Sequence, residues 1–113
     1  MNKTIQKDWI KALLSGEYRK CKGQLKHNKN TYCVMGVLCD LYVKKHPKQK
    51  WIKSSWGSYT LMDDGGFAPA AVKKWARLKS IDVNYRGRTL LISTVNDMYK
   101  INFKQMAKLV KQL

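Results

Sequence analysis

One segment of this chain constrains the fold more than any other. Placed on a helix, residues 31–45 are apolar nearly all round, with Val34, Leu38 and Leu41 on one face. A helix without a polar face is buried on every side, so this segment is predicted to be the central helix. Gly36 lowers the stability of such a helix unless another element packs closely against it.

Apolar residues at helical spacing predict further helices over 4–14, 69–78, 89–98 and 102–113. Thr4 is placed to cap the first, and Asn102 with Gln105 resembles a capping box at the last. Residues 51–67 have no helical period and predict a strand pair or a packed loop. We therefore expect one domain over 1–113, mainly helical α+β, with four to five helices and a short irregular or β-hairpin segment in the middle.

The charge of the chain indicates a class of partner. Twenty-three Lys and Arg face seven Asp and Glu, which gives a formal net charge of +16 on 113 residues. A small domain with that imbalance repels itself and is typical of proteins with a polyanionic partner. Because 19 of the basic residues are Lys, contacts with phosphate are favoured over the reading of base edges, which is the chemistry of Arg. The alternative is a lysine-rich coat that reflects an AT-rich genome.

Basic residues lie beside an aromatic ring in two places, 18–26 and 85–88. Cations beside exposed rings suit a single strand or a nucleotide, because phosphates are neutralised while bases stack. Arg86 and Arg88 flank a glycine in a predicted turn and hold half of the scarce arginine. The predicted phosphate- or nucleic-acid-binding residues are Arg86, Arg88, Lys20, Lys22, Lys26, Trp56 and Tyr59.

Cys33 is a candidate catalytic nucleophile, because it lies near the predicted start of the central helix, with His27 upstream. A thiolate at a helix N-terminus is a competent nucleophile. However, no cysteine-enzyme signature surrounds Cys33, and buried cysteine commonly acts as a small hydrophobe. The cysteines and histidines also lack zinc-ligand spacing, and no phosphate-binding or dinucleotide motif is present. The sequence therefore predicts no enzyme, no cofactor and no metal.

Asp40 and Asp97 are among the few carboxylates, and both fall inside predicted helices. Asp40 lies in the most apolar helix and Asp97 in the helix predicted over 89–98. A carboxylate there needs a cation, a cap or an amide as partner. We expect Asp40 or Asp97 to tie elements together; the alternative is an acid that contacts a ligand.

Several motifs resemble a family of small uncharacterised proteins of bacteriophages and bacteria. Residues 32–41 read YCVMGVLCDL, close to a YCCLGVLCDL core, and Trp9-x-x-Ala-Leu-x-Ser-Gly-x-Tyr precedes it. The chain departs from the family where Val34 follows Cys33 in place of a second cysteine, and where no glycine turn follows Asp97. The resemblance implies a phage or mobile-element origin, and it implies no activity.

The resulting expectation is a cytoplasmic protein, in the host cytoplasm if phage-encoded, that binds a polyanion, foremost nucleic acid, through phosphate during host takeover or counter-defence. One alternative is sequestration of a small nucleotide signal in a pocket with Trp56, Tyr59 and Arg86. Another is an inhibitor that grips an acidic face of a host protein. A monomer or homodimer is expected, and no membrane partner, because no apolar run approaches the ~20 residues of a membrane span.

Overall fold

The computed structural model describes residues 1–55, 57–62 and 67–113. In this part of the chain there are five helices, and α2 is the buried central helix that the sequence predicts. Their bounds are α1 Lys3–Leu14, α2 Val34–Lys45, α3 Ala70–Trp75, α4 Ile92–Met98 and α5 Phe103–Val110.

Six short strands form three two-stranded sheets in the described ranges. They are β1 Arg19–Lys20, β2 Thr31–Tyr32, β3 Trp51–Lys53, β4 Tyr59–Leu61, β5 Asp82–Tyr85 and β6 Arg88–Leu91. The β1–β2 pair is parallel, and the β3–β4 and β5–β6 pairs are antiparallel. Lys26 bridges β2 and β4 through backbone pairing with Tyr32 and Tyr59. The predicted mainly helical α+β class is confirmed.

A close backbone approach explains Gly36 within α2. A Cβ atom at this position would lie 1.8 Å from the carbonyl oxygen of Leu25. The segment that carries Leu25 therefore packs directly on the helix backbone. The glycine that weakens the helix permits this contact.

The two ends of the chain pack side by side. The side-chain amide of Gln6 in α1 donates to the carbonyl of Val110 in α5 at 2.9 Å. On its other side α1 contacts α2, where Trp9 Nε1 donates to the carbonyl of Val34 at 3.0 Å. Trp9 is fully buried, so α1 is fixed between the central helix and the last helix.

Three helix starts show how local chemistry sets the boundaries. The predicted cap Thr4 is wrong: Asn2 caps α1 by accepting from the amide of Ile5. Helix α2 begins after Cys33, whose sulfur accepts from the Gly36 amide, so Thr31 lies in a strand and not in the helix. The capping box of Asn102 with Gln105 at α5 is confirmed.

The predicted helix over 89–98 is wrong in its first part, because residues 88–91 form β6. Arg86 and Gly87 both have positive φ, which is the backbone of a tight two-residue hairpin turn. That turn pairs β6 with β5 in register, from Tyr85 with Arg88 to Asp82 with Leu91. Pairing with β5 overrides the helical spacing of the apolar residues.

No helix within the described ranges combines the length and the apolar character that crossing a lipid bilayer requires.

Candidate functional site

Arg86 and Arg88 lie at the tip of the β5–β6 hairpin, and both are exposed. The Arg86 guanidinium lies over two rings, 5.1 Å from the centroid of Tyr85 and 5.8 Å from that of Tyr99. The two rings meet edge to face at 4.9 Å. The tip is thus a cationic and aromatic surface whose guanidinium groups reach solvent.

Lys20 and Lys22 border the end of α4. Lys22 is exposed and Lys20 is half-buried in β1. Burial, followed by repulsion from Lys22, lowers the pKa of Lys20, and the nearby Asp97 carboxylate opposes this shift. Asp97 also accepts from the amide of Gly23 at 3.0 Å. The segment that carries these lysines is therefore fixed to α4.

Lys26 differs from the other predicted phosphate ligands because its ammonium is enclosed by rings. Lys26 Nζ lies 4.9 Å from the centroid of Tyr32, 5.3 Å from Trp51 and 4.8 Å from Tyr59. The residue is only 9% exposed, and burial lowers the pKa of its amine. The structure thus brings Lys26 and Tyr59 together as an internal cation–π contact.

Asp40 orients Trp51, one of the three rings around Lys26. Its carboxylate accepts from Trp51 Nε1 at 3.0 Å and from the Tyr18 hydroxyl at 2.6 Å. Lys44 Nζ lies 3.5 Å from the same carboxylate. Asp40 therefore joins α2 to β3 and to the segment before β1, which confirms the prediction that it ties elements together.

The two predicted basic segments border the same short stretch, 96–99. Asn96 and Asp97 contact the segment of Lys20 and Lys22 through Cys21 and Gly23. Tyr99 contacts the hairpin of Arg86.

Trp56 lies outside the described residues. Tyr59 lies against Lys26, and Arg86 lies against Tyr85 and Tyr99, so these predicted pocket residues have different neighbours.

The surroundings of Cys33 are those of a small buried hydrophobe. The residue is 6% exposed, and burial raises the pKa of its thiol to about 12. The thiolate, which is the nucleophile, is then scarce near neutral pH. In the described ranges, no group of three or more His, Cys, Asp or Glu side chains is arranged to hold a metal ion.

A basic surface that the sequence analysis missed lies on α1 and α5. Each helix exposes lysines three or four residues apart, which places them on one side of the helix. Helices α1 and α5 pack together, and the two rows meet where Lys7, Lys11 and Lys111 line one groove. We name this surface the two-helix lysine face; it consists of Lys3, Lys7, Lys11, Lys104, Lys108 and Lys111.

A shallow groove on this face brings residues of both helices together. It is lined by Lys7, Ile10, Lys11, Leu14, Ser15 and Lys111. Leu14 is 54% exposed, so the groove has an apolar floor between ammonium groups. Asp8, although next to Lys7 in sequence, lines the opposite groove that faces α2. Lys11 lines both grooves, so Asp8 shares its groove with one lysine of the face.

A second concave feature is a cavity of about 350 Å³ between α2, α3 and α4. Its wall is mostly apolar, with Leu25, Met35 and Phe67, and it carries Asp97 and Lys73 as charged groups. This volume is at the lower end of the range of small-molecule sites. Cys33 lines the same cavity.

The fold and this surface define a class: a small, strongly basic α+β domain. The chain belongs to the family described as a domain of unknown function, DUF8296, whose model matches residues 1–113. No curated protein and no solved structure is significantly similar to the chain. This match agrees with the resemblance in one respect: both are to a family without an assigned function.

Proposed function

We propose that this protein binds a polyanion, and that the polyanion is nucleic acid held through its phosphates. The two-helix lysine face is the observation that carries the proposal. Residues four apart on a helix rise about 6 Å along the axis, so each row presents ammonium groups at intervals that a phosphate backbone can follow. Flexible lysine side chains adapt to such a backbone without reading its sequence.

The rest of the surface supports electrostatic capture. All lysines except Lys20 and Lys26 are exposed, and so are all four arginines. Lys44 with Asp40 forms the one ion pair between the residues that the structure describes. The positive charge is therefore mostly left to attract an outside partner. Arg86 and Arg88 at the hairpin tip are a second, smaller contact in this proposal.

The phage or mobile-element setting, with a role in host takeover or counter-defence, belongs to the same proposal and is supported by the family resemblance alone.

The cavity beside Asp97 supports a second candidate, the binding of a small ligand such as a nucleotide signal. A mostly apolar wall with one anionic and one cationic side chain suits a flat ring system with a charged substituent.

Titration of a labelled single strand, a duplex and a dinucleotide at several salt concentrations tests the proposal. If all six lysines of the face contact phosphates, the slope of log K against log salt is about −5 for duplex and about −4 for a single strand. Binding of the polymers with a slope near zero would contradict phosphate contacts. Tight, salt-resistant binding of the dinucleotide alone would favour the cavity.

A matched pair of variants locates the surface. Lys7→Gln/Lys11→Gln/Lys111→Gln removes three charges from the groove, and Lys48→Gln/Lys50→Gln/Lys53→Gln removes three exposed charges elsewhere. We expect the first triple variant to reduce the magnitude of the salt slope by about 3 and the second to reduce it far less. Equal effects would assign binding to the total charge and not to this face. Arg86→Gln/Arg88→Gln measures the hairpin contribution separately.

A further inference from the structure

The β1–β2 ladder, continued by one residue, places Cys21 opposite Cys33. The parallel register pairs Arg19 with Thr31 and Lys20 with Tyr32, and Cys21 and Cys33 are the next residues along the two strands. The ladder reaches this pair, because the Cys21 amide donates to the carbonyl of Tyr32 at 2.9 Å. Strands in a sheet lie about 4.8 Å apart, and paired residues direct their side chains to the same side. Such spacing falls within the range that a disulfide can bridge.

The side chain of Asn96 fixes the two strand ends at this point. In an uninterrupted parallel ladder, the next hydrogen bond would run from the Val34 amide to the Cys21 carbonyl. The Val34 amide instead donates to Asn96 Oδ1 at 3.1 Å, and Asn96 Nδ2 donates to the Cys21 carbonyl at 3.0 Å. The fully buried carboxamide thus replaces one rung of the ladder. It holds Cys21 beside the start of α2.

Both cysteines also contact the same short turn. The Cys21 thiol donates to the carbonyl of Gln24 at 3.5 Å, and the Cys33 amide donates to the carbonyl of Leu25 at 3.0 Å. Residues 21–25 therefore wrap around the Cys33 position. Cys39, in contrast, lies in the middle of α2 and is fully buried.

We propose that Cys21 and Cys33 are a modification site that closes to an intramolecular disulfide, with a small disulfide such as oxidised glutathione as the oxidant. Cys21 is the entry thiol, because it is half-exposed whereas Cys33 is buried. The Cys21 thiolate attacks one sulfur of oxidised glutathione and expels the first glutathione thiolate. The Cys33 thiolate then attacks the Cys21 sulfur and expels the second. Two protein S–H bonds are exchanged for one S–S bond, and the two protons end on two glutathione thiols.

The environment makes this reaction slow and its product stable. Burial raises the pKa of both thiols, that of Cys33 to about 12, so the attacking thiolates are scarce. A protein disulfide is strongly oxidising when the thiolate of its reduced form is stabilised. Burial removes that stabilisation here, so the closed disulfide is favoured at equilibrium. Closing the loop from 21 to 33 also restricts the unfolded chain, so the oxidised protein should melt at a higher temperature.

Long incubation of the folded, full-length protein with oxidised glutathione at pH 8 tests the proposal. Free thiols are then blocked with N-ethylmaleimide, and non-reduced tryptic peptides are identified by mass. We expect the number of N-ethylmaleimide labels after unfolding to fall from three to one, with a peptide that contains Cys21 joined to the peptide that contains Cys33. Reduction should restore the two lost labels and lower the melting temperature to that of the untreated protein.

Cys33 and Cys39 fall in one tryptic peptide, so variants assign the bond. Cys39→Ser should retain the cross-link, and Cys33→Ser should replace it with glutathione attached to Cys21. Three N-ethylmaleimide labels on the wild-type protein, after incubation with oxidised glutathione has reached equilibrium, would overturn the proposal. So would a wild-type protein that ends as a glutathione adduct on Cys21, as a dimer joined through Cys21, or with a bond to Cys39.

Discussion

Asn96 Nδ2 lies 3.0 Å from the carbonyl oxygen of Cys21, which precedes it by 75 residues in the chain. Its oxygen accepts from the Val34 amide at 3.1 Å, so one carboxamide joins the end of β1 to the start of α2. Asn96 is fully buried and belongs to α4. Asn96 therefore connects three elements, and no local sequence pattern indicates that they meet.

Replacing Asn96 with alanine should lower the free energy of unfolding by about 3 kcal/mol. The substitution leaves a buried amide at Val34 and a partly buried carbonyl at Cys21 without their partner, and each unmet buried group costs about 1–3 kcal/mol. Urea denaturation measures the change. Asn84→Ala is the control, since that residue is exposed and its main-chain atoms make its contacts with Gln112. A loss below 1 kcal/mol at Asn96 would contradict this account.

Gly36→Ala should destabilise the protein, although alanine normally stabilises a helix interior by about 1 kcal/mol relative to glycine. The added Cβ would lie 1.8 Å from the carbonyl oxygen of Leu25, which is backbone and must move. Overpacking of this kind costs about 1–3 kcal/mol or more. The melting temperature should fall, and a rise would show that the Leu25 segment does not rest on α2.

Asp40→Asn tests the contact that orients Trp51 beside Lys26. The amide group of asparagine cannot accept from both Trp51 Nε1 and the Tyr18 hydroxyl as the carboxylate does. Hydrogen bonds to a charged group contribute about 1.5–3 kcal/mol, so we expect a loss of about 2 kcal/mol in urea denaturation. Asp82→Asn, which alters an exposed carboxylate bonded to Ser80, should cost less than about 0.5 kcal/mol. Similar losses in both variants would contradict the assigned role.

Tyr18 should make the protein less stable at alkaline pH. Burial, and then the hydrogen bond to Asp40, raises the pKa of the Tyr18 phenol above its ordinary value of 10.0. Above that pH the unfolded chain loses the phenolic proton while the folded chain retains it, so stability falls as pH rises. The free energy of unfolding, measured by urea titration from pH 9 to 11.5, should decline less steeply for Tyr18→Phe. Identical slopes would exclude Tyr18 as a cause.

Much of the helical framework follows from the sequence because its signals are local. The apolar content of α2 predicts burial on all sides, and eight of its residues are buried. The pairing of Asn102 with Gln105 marks the start of α5 through contacts only three residues apart. The turn at Arg86 is predicted, but strand β6 is not, because the apolar residues of 89–98 also fit helical spacing and only pairing with β5 decides between the two.

The predicted site residues fall into two groups in the structure, exposed and enclosed, because some of their surroundings are local in sequence and others depend on distant segments. Arg86, Arg88 and Lys22 are exposed, as a phosphate ligand must be, and local charge and turn signals identified them. Lys26 has the same sequence context as Lys22, but its ammonium lies among Tyr32, Trp51 and Tyr59 from three strands. Those strands meet only after long-range pairing.

The sequence by itself determined the net charge, the mainly helical class and the burial of α2, because each depends on composition or on periodicity within one segment. Tertiary structure alone decided where the charge is concentrated. Lys7 and Lys111 lie at opposite ends of the chain and line one groove only because α1 and α5 pack together. The placement of Cys21 near Cys33 likewise depends on strand register and on Asn96. Contacts between distant segments follow from the packing of the whole core, which no single window of sequence contains.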